Sequence, residues 1–223
     1  MNYNFRFNAL LPYAGEIVRG IGTTLQLTCL TMAIALVIGL FVALARMSDH
    51  RLMSGAARVY VEAIRNTPLL VQLFIVFFGL PSVGIRLDAY VAALIGLSIN
   101  VGAYASEILR AGIQSIRPSQ VEAGRALGMT AGQTFRHVVL FPAIKAIYPA
   151  LTSQFILLML SSAVVSAISA DDLTSVAANL QSQTFRSFEI YIVVAVIYLA
   201  LALAFSALFR LIYQRALNYP DRR

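Results

Sequence analysis

Five stretches of the chain carry no Asp, Glu, Lys or Arg, and they dictate what it can fold into: Ile21–Ala45, Asn66–Ile85, Ala89–Ser106, Ala146–Ala170 and Ile190–Phe209. A helix rises ~1.5 Å per residue, so about 20 apolar residues cross a hydrocarbon core ~30 Å thick. Four of the runs reach that length directly. The third has to borrow a turn beyond Glu107, and the second starts earlier, near Gly55, carrying Glu62 and Arg65 inward. A transmembrane barrel would alternate apolar and polar residues along each strand. The expected fold is an all-α membrane protein with five transmembrane helices, at about 21–45, 56–80, 89–109, 143–169 and 190–212, the whole chain 1–223 forming one membrane domain. A soluble fold is excluded because 12% charged residues cannot cover a chain that is 59% hydrophobic; soluble domains are about 25% charged.

The charges between the runs orient the chain. Of its 17 basic residues, 13 lie in the segments from Arg46 to Arg65, from Arg110 to Lys145 and from Arg210 onward. Arg6, Arg19, Arg86 and Arg186 are the only ones on the other side. Basic residues stay in the cytoplasm, which places the N-terminus outside and the C-terminus inside. The first 20 residues lack the basic, apolar and small-residue succession of a cleaved signal, so the first span is expected to be retained. The net charge of +7 does not point to nucleic acid, because it sits between apolar spans and not on a soluble face.

Several chemistries are excluded. The one lysine, Lys145, lies in Ala-Ile-Lys-Ala-Ile, which is no phosphate-binding loop. His50 and His137 have no partners at metal or catalytic spacing, and Cys29 lies within an apolar run. The chain is therefore not an enzyme by itself and needs no metal or cofactor of its own.

Charge inside a span costs about 2.5–3.5 kcal/mol per residue on insertion scales, so it pairs or serves a pathway. Glu62 and Arg65, at i and i+3, share a helix face. They either neutralise each other or offer a zwitterion site, Arg65 taking an α-carboxylate and Glu62 an α-ammonium. Asn66 joins that face, and Thr67-Pro68 interrupts the helix behind it, as at the mid-membrane substrate sites of transporters. In the third span Asn100, Tyr104 and Glu107 form one polar stripe. Asn100 and Tyr104 are expected across the cavity from Glu62, or else in interhelical hydrogen bonds; Glu107 is expected to pair with Arg110 or another arginine. In the fourth span Ser161 and Ser162 either pack closely or face substrate.

The longest connection, from Arg110 to about Lys145, is patterned as a short amphipathic helix over 118–128, started by Pro118, with Glu122 in its first turn and Gly128 as its stop. Its stretch Glu122-Ala123-Gly124, followed after three residues by Gly128, resembles the EAA loop of ABC importer permeases. Arg65-Asn-Thr-Pro-Leu-Leu-Val-Gln-Leu-Phe74 resembles the second-span signature of the polar amino acid uptake family, the permeases of histidine, glutamate and glutamine type. Ala103-Tyr-Ala-Ser-Glu-Ile-Leu-Arg-Ala-Gly-Ile113 resembles the end of their third span. The resemblance covers residues from about Gly20 to Arg215.

The resemblance implies a type I ABC importer permease in the bacterial cytoplasmic (inner) membrane. It implies a coupling helix at Pro118, Glu122, Ala123, Gly124 and Gly128 that docks into a cleft on an ATPase subunit, of which the importer has two. ATP and magnesium would be bound by those partners, with a second permease, identical or homologous, and an extracytoplasmic amino acid-binding protein completing the complex. Alternating access around Glu62, Arg65, Asn66, Asn100, Tyr104, Ser161 and Ser162 would move a polar amino acid. Three departures stand out: Gly124 replaces an alanine, Phe141 replaces a proline that follows one place later as Pro142, and Met159-Leu160 occupies the place of a Lys-Asp pair in many relatives, which weakens any inference of a cationic substrate. The alternatives are an ion-gradient-driven carrier or channel using Glu62 and Glu107, and a membrane anchor for a cytoplasmic complex.

Overall fold

The computed structural model of the chain describes residues 4–217, and among these every regular element is helical. The elements are α1 (Ala14–Arg46), α2 (Arg51–Arg65), α3 (Leu69–Phe74), α4 (Ala89–Gln114), α5 (Pro118–Ala126), α6 (Ala131–Thr134), α7 (Phe141–Ser161), α8 (Leu173–Thr184) and α9 (Ser187–Ile212). Several continue in tighter or wider turns, so that Phe7–Arg46, Ala89–Gln114, Ala131–Ile168 and Ser187–Leu217 are each long and apolar enough to cross a membrane.

The second expected span, 56–80, is not one straight helix. Arg51–Arg65 and Leu69–Val83 meet at 107°. Pro68 has no N–H to continue the ladder and forces extended backbone on the residue before it, and α3 starts immediately behind it. The remaining expected spans fall within longer helices: 21–45 within Ala14–Arg46, 89–109 within Ala89–Gln114, 143–169 mostly within Ala131–Ile168, and 190–212 within Ser187–Leu217.

The closest helix pair is α1 with α4. On α1, Leu27, Thr31, Ala35, Gly39 and Ala43 recur every fourth residue and are all buried. Opposite them α4 buries Gly102, Ala105 and Ser106. Apolar side chains gain nothing by leaving lipid for one another, so membrane helices associate by close van der Waals packing, which small residues permit. A Cβ on Gly39 would lie 2.8 Å from the Ala105 Cβ and 3.0 Å from the Ser106 backbone nitrogen, so the two backbones touch there.

The connection after the fourth span contains α8, a helix that the apolar runs do not announce. Asp172 caps it, its Oδ1 accepting the Ser175 N–H at 2.7 Å, while the Ser175 hydroxyl faces the Asp172 backbone. The Leu173 N–H donates to the Thr24 hydroxyl on α1 at 3.0 Å. Leu173, Ala177 and Leu180 then pack with Ile190 and Val194 of α9. Burial raises the Asp172 carboxyl above the usual carboxylate range, a shift opposed by its hydrogen bonds to Ser175, Thr174 and Tyr198.

Two outcomes follow for the purified protein. Gly39→Ala should lower stability by about 1–3 kcal/mol through overpacking, and Gly39→Leu should prevent assembly, both read by thermal unfolding in detergent. A carboxyl with a raised native pKa holds its proton more tightly in the fold, so its contribution falls as pH rises from the unfolded value through the native one. Asp172→Asn keeps an N-cap oxygen and should remove that loss, so its melting temperature should exceed that of the unsubstituted protein more at neutral pH than at pH 4.

Candidate functional site

The bend between α2 and α3 frees carbonyls that lipid cannot hydrate. A residue in the following turn satisfies them. The Gln72 Nε2 donates to the Ile64 carbonyl at 2.7 Å, and lies 3.1 Å from the Thr67 carbonyl and 2.7 Å from the Thr67 hydroxyl. Its Oε1 accepts from the Asn100 Nδ2 at 2.9 Å. Both side chains are buried. The Thr67 hydroxyl donates to the Ala63 carbonyl, and the Tyr60 hydroxyl fastens α2 to α4 by donating to the Ile99 carbonyl at 2.6 Å. The broken span is thus locked to α4 above and below the break.

Two chambers open beside this lock. The charged one, about 360 Å³, is lined by Arg46, Glu62, Arg65, Asn66, Tyr104 and Glu107. The neutral one, about 370 Å³, is lined on the α3 and α4 sides by Pro68, Leu69, Asn100 and Tyr104 and on the α7 side by Gln154, Leu157 and Ser161. Tyr104 belongs to both and forms the wall between them.

The opposite charges in the first chamber are arranged unequally. Glu107 is held by Arg110 at 2.8 Å and also contacts Arg46, the pairing expected for it. Glu62 and Arg65 form no ion pair with each other among the described residues. Arg65 instead sets its guanidinium over the Tyr104 ring, 5.3 Å from the centroid, a cation–π contact worth about 0.5–2 kcal/mol. Both residues are exposed toward the open volume. Mutual neutralisation is therefore not what this structure adopts.

The other expected site residues divide. Asn66 lines the charged chamber, but its Nδ2 donates to the Glu62 carbonyl and so also caps α2. Asn100 lines the neutral chamber and gives one of its two amide hydrogens to Gln72. Ser161 lines that chamber too. Ser162 does not: α7 tightens to a 3₁₀ helix there, and the Ser162 side chain turns into the core, donating to the Met159 carbonyl at 2.8 Å.

The expected coupling helix is α5, with Pro118 at its first position and Gly128, at φ +76°, just beyond its end. Glu122 falls past the first turn, so the dipole complement expected of it is absent. Glu122, Ala123 and Leu127 are exposed, whereas Gly124 is buried, the place of its missing Cβ lying 3.1 Å from the Thr134 Cγ2. Gln72 and Gln154 went unassigned in the sequence, although each is a single amide inside an apolar run, and that was their signal.

A bundle of apolar helices with one broken span, paired polar chambers at the break and a short helix projecting beyond the apolar segments defines the membrane subunit of a solute transporter. Residues 35–218 match the family described as binding-protein-dependent transport system inner membrane component, and the chain belongs to it. It is similar to the probable glutamine ABC transporter permease protein GlnM of Bacillus subtilis, 36% identical over all of this chain and 98% of that protein. It is also similar to the L-cystine transport system permease protein TcyB of Bacillus subtilis, 39% identical over 90% of this chain and 86% of that one. A solved amino acid ABC transporter with histidines has a chain of 43% identity and TM-score 0.89, covering 96% of this chain and 100% of its own. The protein is thus a multi-pass inner-membrane transport subunit and not an enzyme, working in a system that includes a binding protein. Neither an ion-gradient-driven carrier nor a bare anchor fits that membership.

Gln72→Leu should cost about 1–3 kcal/mol, since it leaves the Thr67 carbonyl and Asn100 without a partner and the Ile64 carbonyl with only the longer contacts of Thr67. Asn100→Leu should cost less, and the double substitution should fall short of the sum because the two share one bond. Thermal unfolding of the four proteins in detergent measures this.

Proposed function

We propose that this chain is the permease subunit of an ABC importer that carries a polar amino acid across the inner membrane by alternating access. The observation that carries the reading is the pair of unneutralised opposite charges, Glu62 and Arg65, facing one chamber of about 360 Å³ beside a 107° break. A carboxylate and a guanidinium on one helix face suit the two charges of an amino acid head group, the planar fork of Arg65 accepting the α-carboxylate and Glu62 the α-ammonium. Relatives named for glutamine and cystine transport support the same class.

The bent pair counts as one span, making five, and the basic-residue asymmetry puts the N-terminus outside and the C-terminus in the cytoplasm. The α5 helix then lies on the cytoplasmic side. It offers Pro118, Glu122, Ala123 and Leu127 to an ATPase subunit, while Gly124 seats it on Thr134. Two such ATPases, which hold ATP and magnesium, a second permease and an external amino acid-binding protein complete the importer. ATP binding closes the ATPase pair, α5 passes that displacement to the spans, and the chambers open outward to receive the amino acid.

Glu62→Gln and Arg65→Met should each lower uptake by reconstituted importer at least tenfold, with assembly intact. Glu122→Arg should leave the complex assembled but abolish the stimulation of ATP hydrolysis by loaded binding protein. Gly124→Ala should be tolerated, because the gain in helix propensity of about 1 kcal/mol offsets a contact that Thr134 can yield to, whereas Gly124→Leu should uncouple hydrolysis from uptake. Transport unaffected by both Glu62→Gln and Arg65→Met would remove the head-group assignment.

A further inference from the structure

The neutral chamber contains chemistry that the amino acid head group does not use. The two chambers have Tyr104 in common in their linings. A solute whose head lies between Glu62 and Arg65 would extend its substituent past the Tyr104 ring toward this second volume. At about 370 Å³ the chamber falls within the range of small-molecule sites, about 300–1,000 Å³. None of its lining side chains is charged.

Among its polar groups Gln154 stands apart. Its carboxamide has no hydrogen-bond partner among the described residues, and the residue lines the chamber. Gln72 spends its amide on the helix break, and Asn100 gives one of its two amide hydrogens to Gln72. Gln154 lies within the helical run Ala131–Ile168, and among the described residues no hydrogen bond ties it to the carbonyls that Pro142 and Pro149 leave free there. An amide inside a span without a structural duty costs free energy and is positioned to be satisfied by what enters. The Ser161 hydroxyl, which also has no hydrogen-bond partner among the described residues, lies beside the same volume.

We infer that the neutral chamber selects the transported amino acid by its side chain, taking one that is uncharged and hydrogen-bonding, with Gln154 as the specificity-determining residue. This rests on the assignment of Glu62 and Arg65 to the head group. A cationic or anionic side chain would enter leucine-walled space with no counter-ion and lose its hydration. A purely aliphatic one would leave the Gln154 amide unpaired, and sites built to hydrogen-bond a substrate discriminate strongly against analogues that lack the group. An amide or hydroxyl side chain satisfies Gln154 and Ser161 together.

The test is equilibrium binding of radiolabelled glutamine, serine, leucine, lysine and glutamate to the detergent-purified permease–ATPase complex, without binding protein, so that selection by that protein does not enter. Glutamine and serine should bind at least tenfold tighter than lysine and glutamate. Gln154→Met, near-isosteric and apolar, should cut the preference for glutamine over leucine about tenfold, and Gln154→Glu should raise lysine affinity about tenfold relative to glutamine. Thermal unfolding verifies that both variants are folded. Lysine or glutamate binding the unsubstituted complex as tightly as glutamine would overturn the inference, as would one order of affinities in all three proteins. Retained binding of every probe in Glu62→Gln with Arg65→Met, while the Gln154 variants still reorder the probes, would uphold the selector and remove the head-group assignment. Binding of no amino acid at all would overturn both.

Discussion

A membrane helix that breaks must satisfy its own backbone, and in this protein one side chain meets that demand. The carbonyls of Ile64 and Thr67 lose their helical partners at Pro68, and lipid supplies none. Gln72 reaches back from the next turn to both, and its other end is held by Asn100 on α4. Without this clasp the 107° bend would expose bare polar backbone. With it, the bend becomes a fixed feature from which Glu62 and Arg65 face an open chamber in place of lipid. The charges are tolerable for the same reason: they meet a polar cavity and an aromatic face, not hydrocarbon.

The clasp needs a rigid partner, and α4 is held rigidly by α1. Their contact runs along Thr31, Ala35, Gly39 and Ala43 on one side and Gly102, Ala105 and Ser106 on the other. A Cβ on Gly102 would lie 2.8 Å from an Ile38 methyl, so the small residues set the helix separation along much of this seam. Such a seam resists sliding, because any shift drives a side chain into backbone. The α1–α4 pair therefore serves as the frame, with Tyr104, Asn100 and Glu107 presented from it at fixed positions.

Much of this was legible along the chain, and the exceptions have physical causes. The spans could be read because hydrocarbon permits only long uncharged runs, and the break because Thr67-Pro68 cannot continue a helix. Glu62 and Arg65 announced themselves as charge carried into a span. Gly128 marked the end of α5 because a left-handed residue favours glycine. The helix α8 was not legible: Leu173–Thr184 mixes polar and apolar residues, and its one local sign is the Asp172–Ser175 cap. Ser161 and Ser162 are neighbours of identical chemistry, and only the tightening of the helix between them sends one to the chamber and the other to the core. Gln72 and Gln154 look alike in sequence, each an amide in an apolar run. Their roles separate only in three dimensions, where one has a broken helix beneath it and the other an open volume before it.

The same geometry says how motion at α5 can reach the chambers. One side, α1 with α4 and the clasped break, is closely packed and hydrogen-bonded. The opposite side is α7, which presents Gln154 and Ser161 and belongs to a continuous helical run beginning at Ala131. That run is where α5 is seated: Gly124 lies against Thr134 and Val138, and between them and α7 the helix widens into π-helical turns over Phe135–Leu140, a local loosening often found at functional positions. A displacement of α5 thus has a contiguous physical route into α7, and another into α4 through the three residues between Gln114 and Pro118. Gln154 and Ser161 on α7 and Tyr104 on α4 lie on the two long helical runs that flank α5 along the chain, and the neutral chamber sits where both routes meet.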